Sequence, residues 1–169
     1  MNVLVTGASK GVGFEIVKHF AKEKSTTIVA ISRDLLGLKK LKEFCETKYG
    51  NKINTYSVDF LSKSFSEDLR FALENHRVHF DVIINNAGYL INKPFLETKK
   101  LDVESIFKVN VFSPIEIMQQ TFPYLKHEQR CHVINVGSMG GFQGSVKFPG
   151  LSIYSSSKAA LANLTECLA

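Results

Sequence analysis

Tyr154 and Lys158 stand four residues apart in the stretch YSSSK, with only serines between them. In a helix, residues at this spacing lie one turn apart on the same face, so the phenol and the ammonium can address one small volume. A phenol is a poor acid near neutrality, but a fixed cation beside it favours the phenolate and makes it a usable proton donor. The pair alone does not separate a proton-transfer site from a chance spacing on a solvated helix.

A glycine-rich turn, TGASKGVG at residues 6–13, follows the first apolar run. Its glycines allow a tight turn that brings backbone N–H groups and a helix N-terminus toward a ligand, a geometry that suits a pyrophosphate. The spacing GxxxGxG matches neither GxGxxG nor the P-loop, which indicates phosphate binding without a triphosphate. Any tight turn between a strand and a helix can use glycine, but this position favours a nucleotide. The residues predicted to line the cofactor here are Gly7, Ser9, Lys10, Gly11, Val12 and Gly13.

The second apolar run ends in Ser32-Arg33-Asp34, where a dinucleotide fold places the ribose attached to adenine. An arginine there favours a 2′-phosphate, and an acidic residue favours a free 2′-OH. Arg33, together with Lys10, therefore predicts NADP(H), while the adjacent Asp34 keeps NAD(H) as the alternative. A solvated loop charge would also explain Arg33.

Short apolar runs alternate with amphipathic stretches along the chain. The predicted strands are residues 2–6, 26–32, 54–58, 81–85 and 131–136. The predicted helices are Val12 to Lys24, Asp34 to Lys48, Ser64 to Asn75, Leu101 to Lys126 and a last one from about Tyr154 to the end. This alternation predicts an α/β fold of the Rossmann type, with a doubly wound parallel sheet between two helical layers.

Composition sets broader limits on the class of protein. The 169 residues, 44% of them hydrophobic, predict one domain over residues 1–169. No apolar run reaches the roughly 18 residues of a membrane span, and no leader pattern opens the chain, so we expect a cytoplasmic protein without a membrane partner. The net charge of +5 comes without a nucleic-acid motif, so no nucleic-acid partner is predicted. The histidine pairs and the three cysteines lack metal-ligand spacing, and the cysteines are expected to be buried.

Five motifs occur in order: TGASKGVG, NNAG at residues 85–88, Asn110 in FKVNVF, Ser138 in INVGSMGG, and YSSSK. With these motifs the whole chain resembles the short-chain dehydrogenase/reductase family and is most similar to its 3-oxoacyl-carrier-protein reductases. The resemblance implies that Asp59 meets the adenine. It also implies that the cofactor ribose is bordered by Asn86, Ala87 and Gly88.

The same resemblance implies a catalytic tetrad of Asn110, Ser138, Tyr154 and Lys158. Ser138 would hold the carbonyl oxygen, and Tyr154 would deliver a proton to it as hydride arrives from the nicotinamide. Lys158 would bind the nicotinamide ribose and tune Tyr154, and Asn110 would hold a water that connects Lys158 to solvent. The implied reaction interconverts a carbonyl and a secondary alcohol on a small or acyl-chain substrate.

Each assignment has a structural alternative. Ser138 could be a turn residue, Asn110 a satisfied core amide, and Asp59 the cap of the following helix. For the chain as a whole, the rival to an enzyme is a catalytically silent dinucleotide-binding protein, either a sensor or a remnant.

Two features depart from the family pattern. The interval between Ser138 and Tyr154 is longer than usual and contains FQGSVKFPG, which is either a border of an apolar substrate or an ordinary surface loop. The chain also stops at Ala169, inside the last helix, so we expect the last strands to be missing, the fifth strand to lie at an exposed edge, and the natural product to be longer. By resemblance, the helices at 101–126 and 154–169 could form a homodimer or homotetramer interface.

Overall fold

The computed structural model describes residues 1–76, 79–125 and 131–169, in which strands alternate with helices. The strands are β1 (Asn2–Thr6), β2 (Thr27–Ser32), β3 (Asn54–Ser57), β4 (Val82–Asn85) and β5 (His132–Asn135). The helices are α1 (Gly11–Ala21), α2 (Leu35–Tyr49), α3 (Phe65–Glu74), α4 (Lys100–Phe107), α5 (Ser113–Thr121) and α6 (Ser152–Leu168). Short 3-10 turns occur at Phe95–Glu97, Phe122–Tyr124 and Met139–Gly141, and a π-helical turn occurs at Lys108–Phe112.

All five strands are parallel and form one sheet in the order β3-β2-β1-β4-β5. The chain runs outward from β1 to β3, crosses back to β4 beside β1, and continues outward to β5. This is the doubly wound arrangement that the sequence predicts. Ligands of such sheets bind at the carboxyl ends of the strands where the winding reverses, which here is between β1 and β4.

Alternate side chains of the central strands enter two separate cores. On one face, Val3 and Val5 of β1 pack with α1 and α2 residues such as Val17 and Leu41. On the other face, Leu4 packs with α3 residues, and all of these side chains are fully buried. Full burial of each such aliphatic side chain contributes roughly 1.5–3 kcal/mol to folding. The two cores hold β1 rigidly, and with it the turn that follows.

The edge strand β5 differs from the central strands, because it pairs only with β4 among the described strands. Its Val133 and Ile134 are 36% and 45% exposed, in agreement with the expected exposed edge. Helix α6 contacts β5 and packs on the 3-10 turn at Met139–Gly141 that follows this strand.

The predicted helix over Leu101 to Lys126 is wrong as a single element. The chain forms α4, then the π-helical turn at Lys108–Phe112, then α5 and a 3-10 turn, while Lys126 lies outside the described residues. Pro114 has no N–H to donate to the carbonyl four residues earlier, which breaks the α-helical ladder at this point. At the same turn, the backbone N–H and the hydroxyl of Ser113 both donate to the Lys108 carbonyl, the hydroxyl at 2.7 Å.

The cysteines follow the expectation only in part. Cys45 is buried, and burial raises the pKa of its thiol to about 11, but Cys131 is half-buried and Cys167 is exposed. In the described portion of the chain, no three His, Cys, Asp or Glu side chains are grouped to hold a metal ion; His127 lies outside it. Nor does any helix there have the length and apolar character to cross a membrane.

Candidate active site

The carboxyl ends of β1 and β4 meet at the point where the sheet reverses its winding. A Cβ placed on Gly7, just after β1, would lie 2.7 Å from the Ala87 Cα, just after β4. The Thr6 hydroxyl accepts hydrogen bonds from the backbone N–H groups of Asn86 and Ala87, each at 3.1 Å. The glycine-rich turn and the NNAG segment therefore form one continuous rim.

Glycine is required at the three positions of the turn for different structural reasons. Gly7 and Gly11 have left-handed backbone conformations, with φ of +67° and +59°. A Cβ on Gly13 would collide with the Gly7 carbonyl oxygen and the Asn86 amide, so this glycine serves close packing of α1. A Cβ on Gly11 would meet nothing, because that position faces open space. Of the three glycines, Gly11 is the one whose Cβ position has no atom within 4 Å, so the turn is open to a ligand at this residue.

Helix α1 begins at this open position without a cap of its own. In the described structure, no side chain caps its N-terminus and its first turn carries no acidic residue. Uncapped N–H groups at a helix start, together with the helix dipole, attract an anion. Lys10 and Val12 are both exposed beside this opening. The turn therefore fits the diphosphate of a dinucleotide.

The end of β2 separates the roles of Arg33 and Asp34. The Asp34 carboxylate accepts from the Gly37 N–H at 3.0 Å and caps α2, whereas the exposed Arg33 guanidinium lies 6.0 Å from the centre of the Tyr89 ring. The Ser32 hydroxyl donates to the Ser9 hydroxyl at 2.8 Å, which ties the strand end to the glycine turn. The Asp34 carboxylate thus serves as the N-cap of α2, whereas the Arg33 side chain lies near Tyr89, next to the NNAG segment.

Asp59 lies in the loop after β3, where its carboxylate accepts from the Leu61 N–H at 3.0 Å. Helix α3 begins only at Phe65, after Ser64, so Asp59 stabilises a local turn and does not cap that helix. Its carboxylate is exposed on the same carboxyl side of the sheet as Arg33.

Asn110 lies in the middle of the π-helical turn and is fully buried. Its Oδ1 accepts from the Tyr89 N–H at 2.7 Å, and its Nδ2 donates to the Tyr89 carbonyl at 2.9 Å and to the Ser157 hydroxyl at 2.9 Å. Both amide hydrogens are therefore in use, and only the second lone pair of Oδ1 is left for a water. π-Helical turns are rare and occur frequently at functional sites.

Lys158 is only 3% exposed, and burial lowers the pKa of its ammonium. Its Nζ donates to the Val136 carbonyl, just after β5, at 2.8 Å. A Cβ on Gly88 would lie 3.7 Å from both this Nζ and the Asn110 Oδ1. The ammonium therefore stands between the ends of β4 and β5, next to Asn110.

Ser138 follows β5 and caps the 3-10 turn at Met139–Gly141, accepting from the Gly140 N–H at 3.3 Å. As the acceptor in that bond, its hydroxyl keeps its own hydrogen for a ligand oxygen. The turn packs directly on α6, since a Cβ on Gly140 would lie 2.7 Å from the Ser155 hydroxyl oxygen. Ser138 is thus placed beside the first turn of α6, which carries the half-buried Tyr154.

The predicted residues fall into two neighbouring groups at the carboxyl edge of the sheet. The first surrounds the glycine turn and the ends of β2 to β4, and the second joins Asn110, Ser138 and Lys158 to the helix of Tyr154. The sequence did not predict the contributions of Thr6, Tyr89, Ser157 and the glycine pair at 140–141. A signal for the last of these was present in GSMGG, where two adjacent glycines follow Ser138 after one intervening residue, Met139.

Comparison with known proteins extends this picture. The family model described as short chain dehydrogenase matches residues 1–169. A 3-oxoacyl-acyl-carrier-protein reductase of Aquifex aeolicus is 31% identical over 171 residues, covering 98% of this chain and 65% of the relative. An NADPH-dependent 1-acyldihydroxyacetone phosphate reductase of Saccharomyces cerevisiae is 35% identical over 164 residues, covering 94% of this chain and 51% of the relative.

A solved structure gives the same result for the fold. A short-chain dehydrogenase from Sphingobium yanoikuyae in complex with NADPH superposes with a TM-score of 0.85 at 25% identity, covering 99% of this chain and 64% of that one. The chain thus spans between half and two thirds of the length of these three proteins. Because the family model matches every residue from 1 to 169, this chain belongs to the short chain dehydrogenase family.

Proposed function

We propose that this protein is an NADP(H)-dependent oxidoreductase that interconverts a carbonyl and a secondary alcohol, with Tyr154 as the general acid and base. The observation that carries the proposal is the position of Lys158. Its buried ammonium lies at the carboxyl edge of the sheet, 2.8 Å from the Val136 carbonyl, on the same helical face as Tyr154. A buried cation one turn from a half-exposed phenol suits proton transfer.

The chain has a fitting place for the dinucleotide. The open space at Gly11 and the uncapped start of α1 suit its diphosphate, and Asn86, Ala87 and Gly88 border the path toward Lys158. Arg33 favours a 2′-phosphate on the adenine ribose, because Asp34 is engaged as a helix cap. The Sphingobium complex with NADPH and the NADPH-dependent yeast relative support the same choice.

When bound, the nicotinamide supplies the hydride that reduces the carbonyl carbon. The side chains of the protein bind the carbonyl oxygen and transfer the proton to it. Ser138 donates its free hydroxyl hydrogen to the carbonyl oxygen, and Tyr154 transfers its phenolic proton to that oxygen as negative charge develops there. The buried Lys158 ammonium stabilises the tyrosinate left behind, and in the reverse direction the tyrosinate takes the proton from the alcohol.

The relatives indicate the substrate class. Both the Aquifex reductase and the yeast reductase are named for substrates that carry acyl chains. We propose that this protein, too, acts on a small or acyl-chain carbonyl compound, and that it does so as a homodimer or homotetramer through α4 to α6.

Fluorescence titration with NADPH and NADH, followed by NADPH oxidation across a panel of ketones and 3-oxoacyl thioesters, tests the proposal. Tighter binding of NADPH and turnover of one carbonyl class are expected. Binding without turnover of any compound would favour a silent dinucleotide-binding protein, and binding of neither cofactor would overturn the assignment of the glycine turn.

A further inference from the structure

Ser157 occupies the buried centre of the α6 face that carries Tyr154 and Lys158. The residues at 154, 157, 158 and 161 share that face by helical spacing, and Ser157 itself is fully buried. Its neighbour Ser156 is exposed. Burial of a hydroxyl without hydrogen-bond partners costs free energy of folding. The hydrogen bonds of the Ser157 hydroxyl therefore indicate its structural role.

The Ser157 hydroxyl makes two bonds whose directions are fixed by chemistry. It donates to the Tyr154 carbonyl at 2.7 Å, which can only accept, and it accepts from the Asn110 Nδ2 at 2.9 Å, which can only donate. The hydroxyl therefore joins the backbone of the catalytic helix to the amide of Asn110.

The orientation of the Asn110 amide is also unambiguous. Its Oδ1 faces the Tyr89 N–H and its Nδ2 faces the Tyr89 carbonyl, so a flipped amide would set two oxygens against each other. The remaining Nδ2 hydrogen points at Ser157. Without that hydroxyl, a fully buried N–H would lack an acceptor, which favours movement of the amide.

We propose that Ser157 is a positioning residue that acts through Asn110. Its hydroxyl fixes α6 against the π-helical turn, so that Lys158 and Tyr154 keep their place relative to the Gly88 rim. A Cβ on Gly88 would lie 3.7 Å from both the Asn110 Oδ1 and the Lys158 Nζ, so a shift of α6 against the turn changes the surroundings of Gly88 directly. This inference rests on the proposed function, which assigns Tyr154 and Lys158 their chemistry.

The first test measures whether Asn110 keeps its position, and it does not depend on catalytic activity. Ser157→Ala removes the hydroxyl, and Ser156→Ala makes the same chemical change on the exposed side of the helix. Hydrogen exchange of the Tyr89 backbone N–H, measured by NMR, reports whether the Asn110 Oδ1 still holds it. We expect exchange to accelerate about tenfold in Ser157→Ala, beyond any change in global stability, and to stay unchanged in Ser156→Ala.

The second test measures kcat and the Kd for NADPH in variants of Ser157. For Ser157→Ala we expect kcat to fall about tenfold while the Kd for NADPH changes less than about threefold, because the glycine turn and Arg33, where the diphosphate and the adenine ribose are proposed to bind, lie outside α6. Ser157→Thr keeps the hydroxyl and should recover most of the rate. Ser157→Cys keeps the size with weaker bonds and stays slow; it replaces the alanine variant if that variant fails to fold.

The outcomes separate this inference from the proposed function. Unchanged Tyr89 exchange, or accelerated exchange with an unchanged kcat, would overturn the positioning role of Ser157. Absence of turnover in the wild-type protein despite NADPH binding would instead overturn the proposed function. In that case the exchange of the Tyr89 N–H, which donates to the Asn110 Oδ1, still decides whether Ser157 holds Asn110.

Discussion

Gly141 lies against the backbone of Lys158 so closely that a Cβ on the glycine would stand 2.7 Å from the Lys158 carbonyl carbon. The same Cβ would stand 2.7 Å from the Ala159 nitrogen. Backbone atoms of a helix cannot move aside as a side chain can. The turn after Ser138 therefore reaches the catalytic helix only because residue 141 has no side chain.

This contact predicts a large effect for a small substitution. Gly141→Ala should destabilise the protein by about 1–3 kcal/mol, because the turn must move away from α6, and should lower turnover by displacing Ser138. Urea denaturation and kcat measure the two effects. Gly137→Ala is the matched control, since a Cβ there meets nothing, and it should change stability by less than about 0.5 kcal/mol. Equal effects of the two substitutions would refute the packing explanation.

Arg33 and Asp34 provide a second prediction, because Arg33 is proposed to bind the 2′-phosphate whereas Asp34 caps α2. Arg33→Ala should weaken NADPH binding by roughly 10- to 100-fold, the range of a lost charged hydrogen bond, and leave NADH binding nearly unchanged. Asp34→Ala should instead cost about 1 kcal/mol of stability through loss of the α2 cap, with no change in cofactor preference. Parallel titrations of the two variants measure this contrast, and a shift in preference caused by Asp34→Ala would contradict it.

The buried ammonium of Lys158 predicts a pH dependence of stability. Burial lowers its pKa from the ordinary value of 10.5, which the unfolded chain retains. Between the lowered pKa and about 10.5, the unfolded state binds more protons than the folded state, so the free energy of unfolding contributed by this group rises with pH. Below that window both states are charged, and the full desolvation cost remains.

Lys158→Met removes the charge and keeps most of the volume, so it is the reference for this effect. The stability of the wild-type protein relative to the Lys158→Met variant should increase as the pH rises through the window toward about 10.5. Chemical denaturation of both proteins at a series of pH values measures the difference. A difference that stays flat or falls with pH would show that the pKa of Lys158 is not lowered.

The sequence predicted the architecture because its strands are short, apolar and bounded by clear turns. β1 was predicted with the correct bounds, and the bounds of the other strands were predicted to within one residue at either end. The interrupted helix around Asn110 was not predicted, because apolar periodicity continues on both sides of the break. Pro114, four residues after Asn110, was the available signal, since it cannot donate to that carbonyl.

The candidate site was predictable in its residue types but not in its contacts. Residue spacing suggested that Tyr154 and Lys158 share a helical face, whereas the Lys158 bond to Val136 depends on how β5 and α6 pack. The sequence indicated no role for Ser157, and its bond to Asn110 joins residues 47 positions apart. Gly13 was predicted to line the cofactor, which stays a prediction, but its close packing against Gly7 and Asn86 was not predicted. Such long-range contacts have no local signature in one sequence.

The most direct test of the proposed function is a comparison of the wild-type protein with its Tyr154→Phe variant, with the Tyr49→Phe variant as a control at a position on α2. On the best carbonyl substrate of the panel, Tyr154→Phe should lower kcat/KM by roughly 100- to 10,000-fold, the range of a lost general acid, while the Kd for NADPH changes less than about twofold. The Tyr49→Phe variant should retain wild-type turnover. Undiminished turnover in Tyr154→Phe would contradict the assignment of Tyr154 as the proton donor and, with it, the mechanism proposed for this protein.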